Sequence, residues 1–358
     1  MSRNTVSINW EFILDKLREE QCLLVLGPEA YRTENEATLQ EELIRELALP
    51  SNENIQKYYE EDGFFLFDDP YKRTLACHQI KAFYRTAQPD KTLLQLARLP
   101  FHVMLTVTPD KVLPAAFEQL NFNFQFGHYK KNKDPQSIKP PTAALPLIYN
   151  VFGCIDNEES MVLTHNDLYD YFKSIFARNS MPGRLNVLLR EVKNIIFLGV
   201  PFEKWYFQLL LRELGIHQQQ YEFTRFAANQ SVDDELRTFC YEQFKINFIS
   251  HNLDGFVQEL FERCEREGLL RSAGAAPDSE FDKVKKMVAK GDLEEAIDLL
   301  LDFTDGSALE HDVAHLAGRY RKFKKRALKG VLYQEEKSVQ EAQLIEAILE
   351  IASEAGAI

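Results

Sequence analysis

The chain is poor in cysteine, and none of its five cysteines forms a CxxC pair. A zinc ribbon needs paired thiolates, so no site of that kind is predicted. We interpret the cysteines as small buried apolar residues in a protein of a reducing cytoplasm, without a disulfide framework. They are Cys22, Cys77, Cys154, Cys240 and Cys264.

Several other signals are missing. No apolar run approaches the ~18 residues that cross a bilayer, and residues 1–20 carry charges throughout, unlike a signal peptide. There is no GxSxG elbow and no GxxxxGKS/T loop, and no metal is expected. The formal net charge of −13 argues against nucleic acid as the main partner, because phosphate binding needs a basic face.

Apolar runs that end in glycine or polar residues alternate with amphipathic segments along most of the chain. This alternation predicts a doubly wound, mostly parallel, Rossmann-like α/β sheet. The predicted strands are Cys22–Gly27, Phe101–Thr108, a half-exposed Phe122–Lys130, Leu145–Gly153, Asn194–Val200, Tyr221–Ala227 and Lys245–Ser250. We expect Tyr58–Asp69 to be irregular or short-helical, and Asn166 to cap a helix that His165 introduces.

The composition changes near the end of the chain. A Gly/Ala/Ser/Pro-rich stretch at 269–279 predicts a linker, which separates an α/β domain at 1–268 from a small all-α helical bundle at 280–358. Asp292 and Glu295 are placed as a capping box for one of its helices. The predicted helices of the bundle are Glu280–Lys290, Leu293–Phe303, Glu310–Leu328 and Gln334–Ser353.

Segments at the ends of the predicted strands carry a family resemblance. They are LGPEAY at Leu26–Tyr31, TVTPD at Thr106–Asp110, VFGCID at Val151–Asp156 with VLTHNDLYDYF after it, and LGVPFEKW at Leu198–Trp205. In this order they resemble the sirtuin-like domains of bacterial defence proteins. Those domains carry GAG-like, TTNYD-like, LHGSID-like and LGYSFSD-like segments there. The resemblance implies a fold that binds NAD at the carboxyl edge of its sheet.

The resemblance also indicates which residues would contact NAD or ADP-ribose as a cofactor or ligand. These positions all lie at the strand ends named above. They are Gly27, Glu29, Thr106, Thr108, Asp110, Gly199 and Phe202.

The same resemblance breaks at the positions that carry the family's chemistry. Thr108 stands where the family has its catalytic asparagine, and Phe152 stands where it has its histidine. A phenyl ring cannot accept a proton, and loss of a general base typically costs about 10²–10⁴-fold in rate. Asp110 is retained, with two readings open: it caps the helix that begins near Val112, or it contacts a ligand.

The turn after the first strand departs from a phosphate-binding loop. Gly27 remains, but Pro28 has no N–H group and Glu29 is anionic. A carboxylate ~4 Å from a phosphate repels it by about 4 kcal/mol at an effective dielectric near 20. Glu29 therefore opposes NAD binding unless it points away; a contact with a ribose hydroxyl is the alternative.

The C-terminal helices resemble the small effector-associated domains of bacterial conflict systems. The segments GDLEEAIDLLLDF, VAHLAGRYRKFKKRALKGVL and EAQLIEAILEIASEA carry this likeness, which implies a death-like adaptor that pairs with a matching domain on a partner protein. A basic stretch runs through it, either as a solvated face or as a docking surface for an acidic partner helix. Its members are Arg319, Arg321, Lys322, Lys324, Lys325, Arg326 and Lys329.

Three hypotheses for function follow. The leading one is a catalytically degenerate sirtuin-like sensor or scaffold of an antiphage system, cytoplasmic, recruiting a protein partner through its adaptor, with a homo-oligomer as a further option. The alternative is an NAD-consuming enzyme whose site is rearranged around Glu29, Thr108 and Asp110. The third is a sensor that binds NAD or ADP-ribose without turnover.

Overall fold

The computed structural model forms two compact units, Met1–Gly274 and Ala275–Ile358. We call them the α/β unit and the helical unit. The described residues are 8–33, 37–131, 138–176, 182–215, 224–229, 232–249, 252–272, 284, 287–288, 291–304, 309–328 and 334–355.

The α/β unit is built on a seven-stranded sheet in which every neighbouring pair is parallel. The order across the sheet is β5–β6–β4–β1–β7–β8–β9. After β1 the chain builds one side of the sheet and then crosses to the other, so the strand order reverses beside β1. The strands are β1 Cys22–Leu26, β4 Val103–Thr106, β5 Gln125–His128, β6 Leu147–Asn150, β7 Asn194–Leu198, β8 Thr224–Ala228 and β9 Ile246–Phe248, with a separate pair β2 Lys57–Tyr59 and β3 Phe64–Leu66.

Helices connect the strands and cover both faces of the sheet. Several begin at a side-chain cap; Asp69, Asp90, Asp233 and Asn252 each accept a backbone N–H of the first turn. The helices are α1 Trp10–Arg18, α2 Leu39–Glu46, α3 Pro70–Thr86, α4 Lys91–Arg98, α5 Val112–Gln119, α6 His165–Phe176, α7 Gly183–Glu191, α8 Trp205–Glu213, α9 Asp234–Phe244 and α10 Leu253–Arg266, with 3₁₀ turns at Pro28–Ala30, Leu49–Ser51 and Glu158–Ser160.

The sheet is apolar on both sides. Along β1, Cys22, Leu24 and Leu26 belong to one buried cluster, whereas Leu23 and Val25 belong to a second. Because side chains alternate along a strand, these clusters lie on opposite faces of the sheet. Burial on both faces is what a parallel sheet between helix layers requires. The doubly wound α/β fold predicted from the sequence is therefore confirmed, and all five cysteines are buried and unpaired.

The prediction for Tyr58–Asp69 was wrong. This segment contains an antiparallel hairpin, in which Tyr58 pairs with Phe65. Gly63 closes the turn at φ +79, a conformation that favours glycine. The backbone N–H of Phe65 donates to the Leu163 carbonyl at 2.8 Å, which fixes the hairpin to the chain after β6. Each strand has only three residues, too few for alternation to be recognised in the sequence.

The cap of α6 was also placed wrongly. Thr164, not Asn166, begins this helix: its hydroxyl accepts the Asp167 N–H at 3.0 Å. The Asp167 carboxylate in turn accepts the Thr164 N–H at 3.1 Å. This reciprocal pair is a capping box with aspartate in the acidic position. The Thr164 hydroxyl caps this helix because the helix starts at His165, two residues before the start that a cap at Asn166 implies.

The last described residues of the α/β unit pack against its core. Leu269 and Leu270 join its core, and the Arg271 guanidinium donates to the carbonyls of Ala97, Leu99 and Phe101 at 3.0–3.1 Å. These contacts lie inside the stretch predicted as a linker at 269–279. The boundaries 1–268, 269–279 and 280–358 stay a prediction.

The helical unit contains three long helices that pack against one another. Their core side chains recur at helical spacing, as in Leu293, Ile297 and Leu300. The helices are α11 Leu293–Thr304, α12 Glu310–Leu328 and α13 Gln334–Ala355. Most of the predicted helix Glu280–Lys290 lies outside the described residues, although Val284 belongs to this core. None of the helices in the described ranges is long and apolar enough to cross a membrane.

Candidate ligand-binding site

Two adjoining cavities open at the carboxyl ends of β1, β4, β6 and β7. The larger has a volume of about 280 Å³ and the smaller about 40 Å³. Pro28, Gln40, Tyr84 and Thr108 line both. Open α/β sheets bind ligands at this edge, where the strand order reverses. We therefore take these cavities as the candidate site.

The sequence-predicted residues divide between the two cavities. Glu29, Thr108 and Phe152 line the larger one. The smaller is lined by Gly27, Thr106, Thr108 and Asp110. Gly199 and Phe202 line neither.

In the turn after β1, every backbone N–H group is already hydrogen-bonded within the protein. The N–H of Gly27 donates to the Leu198 carbonyl at 2.9 Å, and that of Glu29 donates to the Gly199 carbonyl at 3.1 Å. The N–H of Ala30 donates back to Gly27 at 3.1 Å, and Pro28 has no N–H. A pyrophosphate is held by free N–H groups in such a turn. Gly27–Ala30 offers none, so this turn does not fit that group.

Gly27 and Gly199 allow the backbone of the turn after β1 to pack directly against the backbone of the turn after β7. A Cβ atom on Gly27 would lie 2.1 Å from the Gly199 oxygen, and one on Gly199 would lie 2.3 Å from the Ala30 nitrogen. Gly199 also has φ +61, a conformation that side chains disfavour. Both glycines are needed where the turn after β1 meets the turn after β7.

Phe202 belongs to the core. Its side chain is buried, with ring centroids 5.4 Å from Phe197, 5.7 Å from Phe207 and 5.3 Å from Phe248. The expected ligand contact at this position is thus replaced by aromatic packing beneath the turn after β7.

A buried amide that the sequence interpretation missed ties two strand ends together. Asn150 is fully buried at the end of β6. It accepts a hydrogen bond from the Thr106 hydroxyl at 2.6 Å and donates one to the Asp110 carbonyl at 2.7 Å. Its only sequence signal was a polar residue within an apolar run. Thr106 is thereby committed to an internal contact at the wall of the smaller cavity.

Asp110 lies just before α5, whose N-cap residue is Lys111, and also at a cavity. Its carboxylate accepts the Val112 N–H at 2.9 Å, at the start of α5. Burial raises the pKa of Asp110, while hydrogen bonds from Thr108 and from the Val112 backbone oppose the rise. The carboxyl group is thus held by its own turn, although it faces the smaller cavity.

Phe152 forms part of an aromatic wall in the larger cavity. Its ring centroid lies 5.1 Å from that of Tyr171 and 6.1 Å from that of Tyr206. Tyr206 in turn lies 5.2 Å from Phe64 of β3. No ring in this wall accepts a proton from a ligand at neutral pH, because burial raises the pKa of the Tyr206 hydroxyl.

The hairpin supplies the side of the larger cavity that the sequence did not predict. Tyr58, Phe64 and Phe65 line it. Asp62, in the hairpin turn, lies 3.0 Å from the His165 ring nitrogen, and that ring packs edge-on against Tyr59 and Phe64. His165 therefore fastens the hairpin to α6, in agreement with its structural interpretation.

The charges around the larger cavity are mostly negative. Lys204 is its one lining cation among the described residues, and its ammonium donates to the Glu61 carbonyl. Within those residues, no group of three or more His, Cys, Asp or Glu side chains could hold a metal ion. The lining carboxylates are Glu29, Glu41, Glu60, Asp62 and Glu203.

The basic stretch of the helical unit lies on α12. Lys324 forms an ion pair with Glu294 of α11, and Lys329 lies outside the described residues. The remaining cations of the stretch are exposed: Arg319, Arg321, Lys322, Lys325 and Arg326.

The parallel sheet, its strand order and the position of the cavities define a Rossmann-like α/β fold. Residues 102–249 match the family model of the SIR2-like domain. Residues 279–356 match that of effector-associated domain 11. The chain thus carries a SIR2-like domain followed by an effector-associated domain, which confirms the order inferred from the sequence. No curated protein sequence matches the chain significantly.

Solved sirtuin structures are similar to the first unit. One, described as the structural basis of sirtuin substrate affinity, has 11% identity and a TM-score of 0.38. The match includes 72% of this chain and 99% of the sirtuin chain. Another, the crystal structure of a Sir2 homolog–NAD complex, has 12% identity and a TM-score of 0.36. This match includes 74% of this chain and 97% of the homolog's chain.

Proposed function

We propose that the chain is a non-catalytic sirtuin-like sensor or scaffold that recruits a protein partner through its helical unit. The observation that carries this proposal is the turn after β1, whose N–H groups are all consumed inside the protein. Phe152 supports it, because the wall of the cavity lacks a proton acceptor where the family has its histidine.

We assign the chain to a bacterial antiphage or conflict system and to the cytoplasm as part of the same proposal. The combination of a SIR2-like domain with an effector-associated domain supports the assignment to an effector-type system. The buried, unpaired cysteines support a reducing compartment.

Mass spectrometry of the full chain incubated with NAD tests the absence of catalysis. We expect neither nicotinamide nor ADP-ribose above the level of a no-enzyme control, even at high protein concentration. Release that rises in proportion to protein concentration and disappears in Thr108→Val would overturn the proposal. Size-exclusion chromatography with light scattering of the same sample would measure whether copies of the chain associate.

Partner recruitment is tested by affinity capture from source cells with the full chain and with Leu300→Asp. Leu300 is fully buried in the helical unit, so the charge disrupts that core. We expect a partner that itself carries an effector-associated domain to be captured by the wild type and lost with the variant. Equal capture by both would show that the helical unit does not recruit it. Unchanged tryptophan fluorescence would verify that the α/β unit stays folded.

An NAD-consuming enzyme with a rearranged site is the second candidate, and one observation favours it. Burial raises the pKa of Asp110, and perturbed carboxyl groups beside cavities often act as acids or bases. This candidate predicts that Asp110→Ala abolishes an NAD hydrolysis that the wild type performs. The two proposals therefore separate in the same mass-spectrometric assay.

A further inference from the structure

The larger cavity has a lining suited to positive charge. Of its five carboxylates, Glu41, Glu60 and Glu203 are exposed at the mouth, while Glu29 and Asp62 are half-buried. The one lining cation among the described residues, Lys204, donates to the Glu61 carbonyl and keeps its charge, so the five carboxylates still outnumber it. An anionic ligand would meet repulsion here, and a cation would be attracted.

Aromatic rings provide a second, independent feature of the same kind. Phe64, Tyr206 and Phe152 follow one another along one wall, with centroid separations of 5.2 and 6.1 Å. Tyr58 and Phe65 form another pair at 5.0 Å. Aromatic rings attract ammonium groups through the negative charge of their faces. Acidic and aromatic side chains together are the surroundings that recognise organic cations.

Tyr84 supplies a polar group for the rest of a ligand. Its side chain is only 5% exposed and lines both cavities. Among the described residues none makes a hydrogen bond with its hydroxyl. Burial raises the pKa of this hydroxyl, so it stays neutral and can both donate and accept. A hydroxyl at the wall of a cavity that makes no bond within the described protein is a contact point for a ligand.

We propose that the larger cavity binds a small organic cation, with its ammonium group against the wall of Phe64, Tyr206 and Phe152 and a polar end at Tyr84. This inference rests on the proposed function and names the ligand class of the sensor. The volume of about 280 Å³ suits a small molecule. A dinucleotide is disfavoured, because its pyrophosphate would face the carboxylates and the closed turn at Gly27–Ala30.

Calorimetry of the full chain with choline tests the proposal, with 3,3-dimethylbutan-1-ol as the matched probe that replaces the quaternary nitrogen by carbon. Tetramethylammonium and spermidine extend the series, and ADP-ribose is the anionic comparison. We expect choline to bind at least tenfold more tightly than its uncharged analogue. No binding of any cation below about 10 mM would overturn the proposal, as would equal binding of the analogue or tighter binding of ADP-ribose.

Variants identify the groups responsible. Tyr206→Leu removes a ring of the wall and should weaken choline binding at least fivefold, whereas Tyr206→Phe keeps the ring and should retain binding. Glu203→Gln at the cavity mouth should weaken binding about twofold to fivefold, and Glu213→Gln, an exposed glutamate at the other end of α8, is its matched control. If Tyr206→Leu and Glu203→Gln both bind choline as tightly as the wild type does, the proposed site is contradicted.

The outcomes also separate this inference from the proposed function. If no cation binds and NAD is not cleaved, only the ligand class is wrong. If NAD is cleaved, the proposed function fails whatever the cations do. Because Glu203 is exposed, its variant keeps the test valid even if Tyr206→Leu fails to fold.

Discussion

Each unit has a charged surface, and the two surfaces differ in sign and in kind. In the α/β unit, carboxylates such as Glu29 and Asp62 line a cavity together with aromatic rings. In the helical unit, cations such as Arg319 and Lys322 stand exposed along α12. A cavity suits a small molecule, whereas an exposed charged helix suits a macromolecular surface. This difference indicates that each unit has its own recognition task and should respond separately to substitution.

The largest expected effect is that of Gly199→Ala, which tests the contact between the two turns. A Cβ there would lie 2.3 Å from the Ala30 nitrogen in a left-handed conformation. We expect the free energy of unfolding of the α/β unit to fall by about 4 kcal/mol, from overpacking and backbone strain together. Tryptophan fluorescence during denaturant unfolding measures it, because Trp10 and Trp205 both lie in this unit.

Gly268→Ala is the control for Gly199→Ala. Gly268 has φ +64, but nothing lies within 4 Å of an added Cβ. It should therefore cost only about 1 kcal/mol, the strain alone. An equal loss in the two variants would show that the close approach of the turns contributes nothing.

Leu300→Ala asks whether the units unfold separately. Leu300 is fully buried in the core of the helical unit. Its truncation should lower the free energy of unfolding of that unit by about 3 kcal/mol, by lost burial and a residual cavity. Circular dichroism, which reports the helices of both units, should gain an additional early transition at lower denaturant, with the fluorescence transition unchanged. A parallel shift of the fluorescence transition would contradict the independence of the units.

His102 should make the α/β unit alone sensitive to mild acid. Burial lowers the pKa of His102 from 6.5 to about 4. The unfolded chain therefore binds a proton in this window that the folded chain does not, so stability falls as pH drops from 6.5 towards 4. At about 1.4 kcal/mol per pKa unit, the loss reaches at most about 3 kcal/mol. Fluorescence-detected unfolding at pH 7 and pH 5 checks it.

The control for this pH dependence is His102→Gln, which cannot be protonated. Its stability should change less than that of the wild type between the two pH values, and the circular dichroism of the helical unit should not follow the difference. Identical pH profiles for the variant and the wild type would exclude His102 as the source.

The smallest effect is expected for Lys324→Gln. Lys324 pairs with Glu294 on the exposed surface of the helical unit, and such pairs contribute little because water and salt screen them. Neither unfolding transition should move measurably. A clear shift of the helical transition would show that the cations of α12 stabilise the unit, which would weaken their interpretation as a recognition surface.

Much of the α/β fold could be predicted because its central strands are continuous apolar runs. Cys22–Leu26 and Asn194–Leu198 are buried throughout, and each precedes a turn and a helix, as parallel strands require. The hairpin was missed because three-residue strands carry too little alternation. The order of strands across the sheet depends on contacts between distant segments, which local patterns do not contain.

The site residues at strand ends could be predicted from the sequence. Those contributed by the β2–β3 hairpin and by α3 could not. Glu29, Thr108 and Phe152 reach the larger cavity as the strand ends indicated. Tyr84 comes from the last turn of α3, in a pattern typical of an ordinary buried helix face. Gly199 shows a further limit: a glycine in a turn can serve a ligand or a neighbouring backbone, and only the three-dimensional arrangement distinguishes the two.

Arg271 determines how far the C-terminal end of the α/β unit can be truncated. Its guanidinium binds the carbonyls of Ala97, Leu99 and Phe101 and lies 5.1 Å from the Phe117 ring centroid. A fragment that ends at Gly268 would lack Arg271, and the carbonyl groups of Ala97, Leu99 and Phe101 would each lose a donor. A fragment that includes Arg271 retains it, so the shortest self-sufficient piece of this unit extends beyond the last turn of its final helix.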